Sequence, residues 1–513
     1  MKVPPLYMPT LHKLIKGLVL LFLIASFYSQ TNIGLADNGD FSRAMTWFSS
    51  GPVGIEPNWP APNTADWSRR FFHNWLPYWK LDFPGHGLMK SSAILLWAPG
   101  VLWNYSMFSP NVLYASNLSL APKIFLVCLM FLLFRWVETS EVDEILKTSL
   151  FITLALPVCL MFSTTDYVAY FNTFYFETAS FVFLFTFLAS LIFLKRRGPS
   201  TLVYVWCVSS LLLLTMAKTS NIYWPPIALP CIFVFRNLRA KPARYVPLYI
   251  VLAIGFTLIG FSVTRQPSSL NRNNTINRLF FGVLTFSRDP SQRLAELNLS
   301  GAENCIGHPA FDAIGSQCLA KYVDRISIPK TLLVLVREPG TLFRMMIHVA
   351  DNMQEVSLDY LGKYSIDHPV EADRIPLNFW SKTKLDFFPK GYLLWLTIIL
   401  YLIIFISSLG KGGMTYELAL VGLLTTVALF VDMLVSILGD GRQELVKHLF
   451  LSNVLFDVAS IAALNVLVFR CVQLARNKLQ HTEVKRNQRV LKTPDDATHR
   501  PPGKRVSQLR AAN

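Results

Sequence analysis

The sequence predicts an all-α polytopic membrane protein with about 10 (10–12) transmembrane helices. Hydrophobic residues make up 52% of the 513 residues, charged residues only 16%, and the mean hydropathy is +0.38. Many apolar residues lie in segments near the ~20 residues that cross a bilayer as a helix. A soluble domain of this size could not cover so much apolar surface. Short loops rich in Lys and Arg separate several of these segments, which is typical of the cytoplasmic side of a membrane protein.

The basic residues predict the orientation. Lys195, Arg196 and Arg197 form one basic loop, and residues 236–244 contain a second. The segment 476–510 has ten Lys or Arg against three acidic residues. The positive-inside rule places all three in the cytoplasm, together with the N-terminus. Because these signals explain much of the net charge of +16, we expect no nucleic-acid partner.

Ten crossings agree with this orientation. In chain order the predicted spans are 17–36, 120–136, 149–166, 174–194, 200–217, 221–235, 246–264, 391–408, 415–437 and 448–470. The first is too long for the apolar core of a typical signal peptide, so we interpret it as retained. The apolar segment 91–105 is short and broken by Pro99-Gly100, so we interpret it as interfacial or re-entrant. Both termini are then cytoplasmic.

This topology divides the chain into four parts. They are an N-terminal membrane module at 1–264 with a first outer loop at 37–117, an outer (periplasmic) α-rich segment at 265–390, C-terminal membrane helices at 391–470, and a basic cytoplasmic tail at 471–513. The first outer loop is dense in Trp, which prefers the headgroup zone, so we expect short interfacial helices there. In the second outer segment, residues 330–349 predict helix interrupted at Pro339.

Two cysteines stand apart from the apolar spans. Cys305 and Cys318 lie in the second outer segment, where oxidising surroundings would allow a disulfide. The sequence has no CxxC or HExxH motif, so we expect no metal site held by protein ligands. A requirement for a divalent metal ion stays open, and the sequence assigns no other cofactor.

Charged residues follow the first span closely. Asp37, Asp40 and Arg43 lie within seven residues, in the stretch DNGDFSR. A carboxylate here is placed to act as a general base on an acceptor hydroxyl, and a guanidinium can bind a phosphate through two hydrogen bonds. The structural alternative is a turn, because Asp-Asn-Gly-Asp is also turn-forming.

Two further charges lie at predicted ends of spans on the same side. Glu177 could contact a sugar or orient the base, or it could simply be an acid favoured at a helix N-terminus. Lys218 could bind a phosphate, or it could be a lysine that extends its ammonium group to the membrane surface. Neither residue by itself distinguishes a substrate-binding role from a purely structural one.

The short loop between the last two spans holds a dense polar cluster. Its charged residues are Asp440, Arg442, Glu444 and His448. Asp432 and Asp457 lie about eight and nine residues from this loop, at membrane depth, where a carboxylate needs a partner, and Arg442 or His448 could supply it. A purely structural polar network is the alternative. If all these residues converge, they form a polar chamber at one membrane face.

At this point the chain resembles the GT-C glycosyltransferases, and more specifically bacterial glycan-biosynthesis hexose transferases of that class. The likeness is carried in order by NGDFSR (38–43), FNTFYFE (171–177), AKTSN (217–221), FWSKTKLDFFPK (379–390) and KHLFLSNVLFD (447–457). The resemblance implies GT-C-like outer loops and a sugar taken from a polyprenyl-phosphate carrier. It implies that Asp37 or Asp40 is the base and that Lys218 and the basic residues near Arg442 engage the phosphate. Many members have two adjacent acids, whereas Asn38 and Gly39 separate them here.

The sequence therefore predicts an inverting hexosyltransferase of the cell (inner or plasma) membrane, with its active site on the periplasmic or extracellular face. Its expected partners are a polyprenyl-phosphate sugar donor, a glycan or lipid-linked acceptor, and membrane lipids. A glycan polymerase or ligase would share the large outer loops, and it would transfer assembled saccharides. A flippase or transporter of lipid-linked saccharides would also be polytopic, but its polar residues should line broken helices near the membrane centre.

Overall fold

The computed structural model describes residues 8–53, 71–82, 85, 89–197, 200–235, 268–358, 360–365 and 377–492. The chain forms two units, Met1–Val466 and Leu467–Asn513. The α-helices are α1 Met8–Ser29, α2 Ala93–Met107, α3 Leu120–Glu138, α4 Glu144–Leu150, α5 Leu156–Ser163, α6 Thr165–Val168, α7 Glu177–Arg197, α8 Thr201–Ala217, α9 Trp224–Phe235, α10 Ser268–Ile276, α11 Pro290–Glu296, α12 Ala313–Tyr322, α13 Ile328–Arg337, α14 Pro339–Asn352, α15 Phe379–Phe387, α16 Gly391–Ile406, α17 Gly413–Asp440, α18 Leu445–His448 and α19 Phe450–Lys492.

Among the described residues, six helical segments are long and apolar enough to cross a membrane. They are Thr10–Ser29, Ala115–Glu138, Glu144–Ser163, Glu177–Arg196, Gly413–Asp440 and Phe450–Arg476. A seventh crossing is possible if α15 and α16, which meet at an angle of 104°, form one broken span. The protein is thus mostly helical and multi-pass, with apolar side chains such as Leu18 and Leu21 exposed along α1.

The predicted count of about ten spans stays a prediction. The predicted spans 200–217 and 221–235 are the 17-residue helix α8 and the 12-residue helix α9, both short for a bilayer. The predicted span 246–264 lies outside the described residues. The segment 91–105 forms helix α2, which continues through Pro99.

The described part of the first outer loop contains short helices, as expected, and also a small β-sheet that the sequence did not predict. Strands β1 (Ser49–Pro52), β2 (Tyr78–Leu81) and β3 (Val112–Tyr114) pair antiparallel in that order. Trp79 pairs with Leu113 on β3 and is buried. The ring of Trp79 packs against Phe41 and Phe174, with centroids 5.7 and 5.4 Å away. This tryptophan packs in a protein core, where its large apolar area is removed from water.

The 360–365 segment connects the end of the first predicted span with the first outer loop. The amide of Ala36 donates to the Gly362 carbonyl at 2.8 Å, and the amide of Gly362 donates to the Phe72 carbonyl at 2.7 Å. A β-carbon on Gly362 would lie 1.8 Å from the His73 carbonyl oxygen, so only glycine fits.

Helices also predominate in the second outer segment. Helices α13 and α14 meet at Pro339, where the sequence predicted an interruption. Cys305 and Cys318 form a disulfide, with Cα atoms 6.0 Å apart. Arg278 donates to the Leu438 carbonyl at 2.5 Å, which fixes this segment to the end of α17.

Candidate functional site

One end of the helices brings together residues from four separate parts of the chain. Helices α8 and α17 end there, and helix α7 begins there. Asp40 comes from the stretch after α1, Glu177 is the first residue of α7, Lys218 directly follows α8, and α18 contributes Lys447. We call Asp40, Arg43, Glu444 and Lys447 the Asp40 cluster.

Asp37 holds the turn that presents Asp40. Its Oδ1 accepts hydrogen bonds from the backbone amides of Gly39 at 2.7 Å and Phe41 at 3.2 Å. Gly39 has φ +101°, a left-handed conformation that glycine adopts without strain. Asp37 is buried and stabilises this turn, as the alternative interpretation of DNGD as a turn predicted. Of the two aspartates, Asp40 is the one that reaches the open site.

Asp40 lies between two cations. Its Oδ1 is 2.7 Å from an Arg43 guanidinium nitrogen, and its Oδ2 is 2.5 Å from the Lys447 ammonium nitrogen. Arg43 is three residues on in a 3₁₀ turn, where side chains at i and i+3 lie on one face. Burial alone would raise the pKa of Asp40, but Lys447 and Arg43 outweigh it and hold this pKa well below its usual range. The carboxylate is therefore ionised at neutral pH.

Lys447 is the centre of the cluster, and sequence reasoning missed it. Its side chain is only 2% exposed, and it pairs with both Asp40 and Glu444. Although burial would lower the pKa of Lys447, these two carboxylates raise it above the usual range. The spacing of Glu444 and Lys447 at i and i+3 was the available signal. Its partner Asp40 could not be identified in that way.

Glu444 is held in an unusual position by the first outer loop. Its backbone φ is +45°, which is uncommon for a residue other than glycine. The side-chain amide of Asn38 donates to both Glu444 carboxylate oxygens, at 2.6 and 2.7 Å. The Tyr175 hydroxyl in turn lies 3.0 Å from the Asn38 side-chain oxygen. Non-glycine residues with such strain often occur at functional sites.

Glu177 and Lys218 form a second ion pair beside the Asp40 cluster. The Lys218 ammonium nitrogen is 2.8 Å from a Glu177 carboxylate oxygen. Glu177 is buried, whereas Lys218 is partly exposed. Lys447 also contributes to the electrostatic environment of Glu177. Glu177 and Lys218 thus form a structural ion pair. They also lie at helix ends beside the Asp40 cluster, where a substrate-binding residue would have to be.

Two tyrosines that the sequence did not single out border these pairs. Tyr170 and Tyr360 have their pKa values raised by burial, and carboxylates of the site add to this, Glu177 and Glu444 among them. Tyr360 belongs to the 360–365 segment and remains partly exposed. Aromatic rings with hydroxyl groups suit the recognition of polar ring-shaped ligands.

Asp440 and His448 lie at the edge of the site. The Asn277 side-chain amide donates to Asp440 at 2.6 Å, and His448 Nε2 is 3.5 Å from the other Asp440 oxygen. Arg442 instead packs over the Phe281 ring, with its guanidinium carbon 5.3 Å from the ring centroid. Arg442 therefore contacts the second outer segment. The structure does not bring Arg442 and Lys218 together around one phosphate position.

The expectation that Arg442 or His448 would pair with the two deeper aspartates is wrong. Asp457 is 2.8 Å from the Lys384 ammonium nitrogen, and it accepts hydrogen bonds from Tyr167 at 2.7 Å and Trp380 at 2.9 Å. We call Asp457, Lys384, Tyr167 and Trp380 the Asp457 cluster.

Asp432 has its own hydroxyl partners. Tyr223 donates to it at 2.8 Å and Ser452 at 2.5 Å. Both deep carboxylates are thus satisfied by neighbours on packed helices, as buried polar groups must be. Within the described ranges, no group of three or more His, Cys, Asp or Glu side chains lies close enough to hold a metal ion.

Comparison with known proteins places the chain in a family. The sequence profile described as the YfdI N-terminal transmembrane domain matches residues 9–489. The chain is also 21% identical, over 388 residues, to the uncharacterized protein YfdI of Escherichia coli (strain K12). That alignment covers 73% of this chain and 81% of the relative. No solved structure matches the chain. The chain belongs to the family defined by the YfdI N-terminal transmembrane domain.

Proposed function

We propose that this protein is a GT-C-type glycosyltransferase that moves a sugar, a hexose, from a polyprenyl-phosphate donor to a glycan or lipid-linked acceptor. The single observation that carries the proposal is the Asp40 cluster. An ionised carboxylate and two cations share one partly open site at the ends of apolar helices. Transfer from a lipid phosphate needs this combination, because a base must act on the acceptor while cations stabilise the leaving phosphate.

The proposed reaction is a single displacement. The acceptor hydroxyl gives its proton to the Asp40 carboxylate while its oxygen attacks the anomeric carbon. The bond from that carbon to the phosphate oxygen breaks, and the electron pair leaves with the phosphate. Attack from the side opposite the leaving group inverts the configuration at the anomeric carbon.

Substrate binding would also activate the base. In the resting protein, Lys447 and Arg43 hold the pKa of Asp40 low, so Asp40 binds protons weakly. A donor phosphate that draws Lys447 or Arg43 toward itself would weaken their contact with Asp40. The pKa of the carboxylate would then rise toward the range that suits a general base. Lys218, which Glu177 now holds, is the next cation available to the phosphate.

The direct test is transfer by the purified chain in lipid vesicles. Polyprenyl-phosphate hexose carrying a radiolabelled sugar should lose its label to a glycan acceptor. Carriers bearing an assembled oligosaccharide should be poor donors. The reverse preference would favour a polymerase or ligase. Movement of an intact labelled carrier between the two leaflets, with no sugar transferred, would favour a flippase.

The proposed topology has ten crossings in the cell membrane, cytoplasmic termini and an outward-facing site. Ser300→Cys, on an exposed residue of the second outer segment, should react with an impermeant thiol reagent in intact cells. Gly410→Cys lies in the loop after α16, where a β-carbon meets nothing within 4 Å, and it should react only after the cells are opened. Exposed Cys128 and Cys471 are replaced by Ser in both proteins to lower the background. The opposite labelling pattern would invert the topology.

A further inference from the structure

A cavity with many polar residues in its lining lies where α15 meets the 360–365 segment, and neither the sequence nor the comparisons assign it a role. Its volume is about 420 Å³, within the ~300–1,000 Å³ of small-molecule sites. It is lined by residues that follow α5, by the stretch that follows α14, by the 360–365 segment and by α15. The cavity thus forms where residues 165–166 meet three neighbouring stretches of the chain, at 354–357, 363–364 and 378–385.

Two buried polar atoms of the lining point to a ligand. Thr165 Oγ1 and Gln354 Oε1 are among the buried side-chain atoms of the described residues that have no hydrogen-bond partner. Leaving a buried polar atom unpaired costs ~1–3 kcal/mol, so native proteins rarely do so without a reason. Both side chains line the cavity, where a bound molecule with hydroxyl groups can satisfy them.

The charges of the lining favour a neutral ligand over an anion. The Lys363 ammonium nitrogen is 2.6 Å from an Asp166 carboxylate oxygen, so this cation is already neutralised. Glu355 and Lys382 add one further charge of each sign. The lining therefore holds two cations and two carboxylates, and this balanced set suits a neutral ligand.

The remaining lining chemistry fits a carbohydrate. Amide side chains of Gln354 and Asn378 and the hydroxyl of Ser381 can donate to and accept from sugar hydroxyls. Tyr364 adds an aromatic ring that can cover the apolar face of a sugar. This mixture of donors, acceptors and one ring is typical of sites for ligands with many hydroxyl groups.

Two short stretches of chain lead from the cavity lining to tyrosines whose pKa values respond to the charges of the reaction site. Lys363 lines the cavity, while Tyr360, three residues earlier, borders the Asp40 cluster. Asp166 lines the cavity, and Tyr170, four residues later, borders Glu177. A molecule longer than one sugar unit could therefore occupy the cavity and extend toward Asp40.

We propose that this cavity binds the saccharide part of the acceptor through its hydroxyl groups and so presents one of them to Asp40. This inference rests on the proposed transferase function for the identity of the ligand as acceptor. Carbohydrate binding itself does not depend on it. The two statements can therefore fail separately.

Binding is tested by saturation-transfer NMR on the full chain in nanodiscs. The probes are free mono- to trisaccharides with gluco, galacto, manno and rhamno configurations. At least one should bind the wild-type protein. Thr165→Val and Gln354→Leu should each weaken it by roughly three- to tenfold, because each removes one hydrogen bond. Both variants should keep the wild-type melting temperature, because neither removes a hydrogen bond that the described protein makes.

The matched control is Thr331→Val, the same change at a buried hydroxyl on α13 that does not line the cavity. It should bind the probe as the wild type does, and so should Asp40→Asn. In transfer assays, Thr165→Val and Gln354→Leu should raise the acceptor KM and leave the donor KM unchanged.

Two results would overturn the cavity proposal: no probe saccharide binds, or the two cavity variants bind it as tightly as the wild type. Saccharide binding that is lost in both variants, together with no transfer by the wild type, would keep the cavity site and remove the proposed transferase function.

Discussion

Two buried lysine–aspartate pairs in this protein have the same chemistry and different surroundings. Lys447 and Lys384 are both almost inaccessible, with side chains 2% and 5% exposed. Their partners differ, because Asp40 is 19% exposed and Asp457 only 3%. A charge pair that solvent can reach can exchange partners with a substrate, whereas a sealed pair can only support the fold.

The hydrogen bonds show the same difference. Asp457 is closed off by Lys384, Tyr167 and Trp380, so three donors fill its oxygens. The carboxylate of Asp40 contacts two cations, and Lys447 is shared with Glu444. Burial of charge is therefore not by itself a sign of function. The feature that indicates function is an ion pair with one buried partner and one partner that solvent can reach.

The largest expected effect comes from the base. Asp40→Asn should lower transfer by ~10²–10⁴, because the general base is lost, while membrane abundance stays near wild type. Lys447 keeps Glu444 as a partner in this variant, so no buried charge is left alone. Transfer is measured with labelled donor in vesicles, and abundance by immunoblot. Near-normal transfer by Asp40→Asn would remove the assignment of this carboxylate as the base.

The sealed pair should respond in the opposite way. Lys384→Met should destabilise the protein by ~3–5 kcal/mol, because Asp457 is left buried without its cation. Adding Asp457→Leu should recover much of this stability, since apolar replacement of a buried pair is often neutral. Melting in detergent measures stability, and transfer per folded molecule should stay near wild type. A double variant that is stable and inactive would place the Asp457 cluster in the reaction.

A smaller effect is expected for the cation beside Glu177. Lys218→Met should weaken transfer about tenfold or more, equivalent to ~1.4 kcal/mol of lost transition-state contact. Lys218→Arg should recover part of the loss, since charge survives and geometry changes. Arg442→Met is the comparison variant and should cost less, because Arg442 packs on Phe281. Donor KM and kcat measure both. A larger loss in Arg442→Met would place the phosphate nearer to the second outer segment.

The smallest effect is a shift with pH. Lys447 and Arg43 lower the pKa of Asp40, so its contribution to stability is present above the ordinary carboxyl range and is lost as pH falls through the lowered value. Arg43→Met removes one of these cations and should raise that pKa, which moves the acid limb of the transfer–pH profile to higher pH. An acid limb that stays in place would mean that a group other than Asp40 limits transfer at low pH.

Much of the site could be predicted because its residues mark the ends of apolar segments. Asp40, Glu177 and Lys218 are visible as charges that interrupt long hydrophobic runs. The choice of Asp40 over Asp37 required the backbone, because Asp37 uses its oxygen to hold the turn. The importance of Lys447 was not predictable, because its partner Asp40 is 407 residues away in the chain.

The sequence by itself determined the helical membrane class, the positions of most apolar helices and the interruption at Pro339. Hydropathy and the helix-breaking effect of proline are local properties, because they depend only on the residues of one short segment. Only the tertiary structure decided the sheet in the first outer loop, the partners of Asp457, and the cavity that Thr165 and Gln354 line. Each of these depends on contacts between segments far apart in the chain, and such contacts are set by how the helices pack.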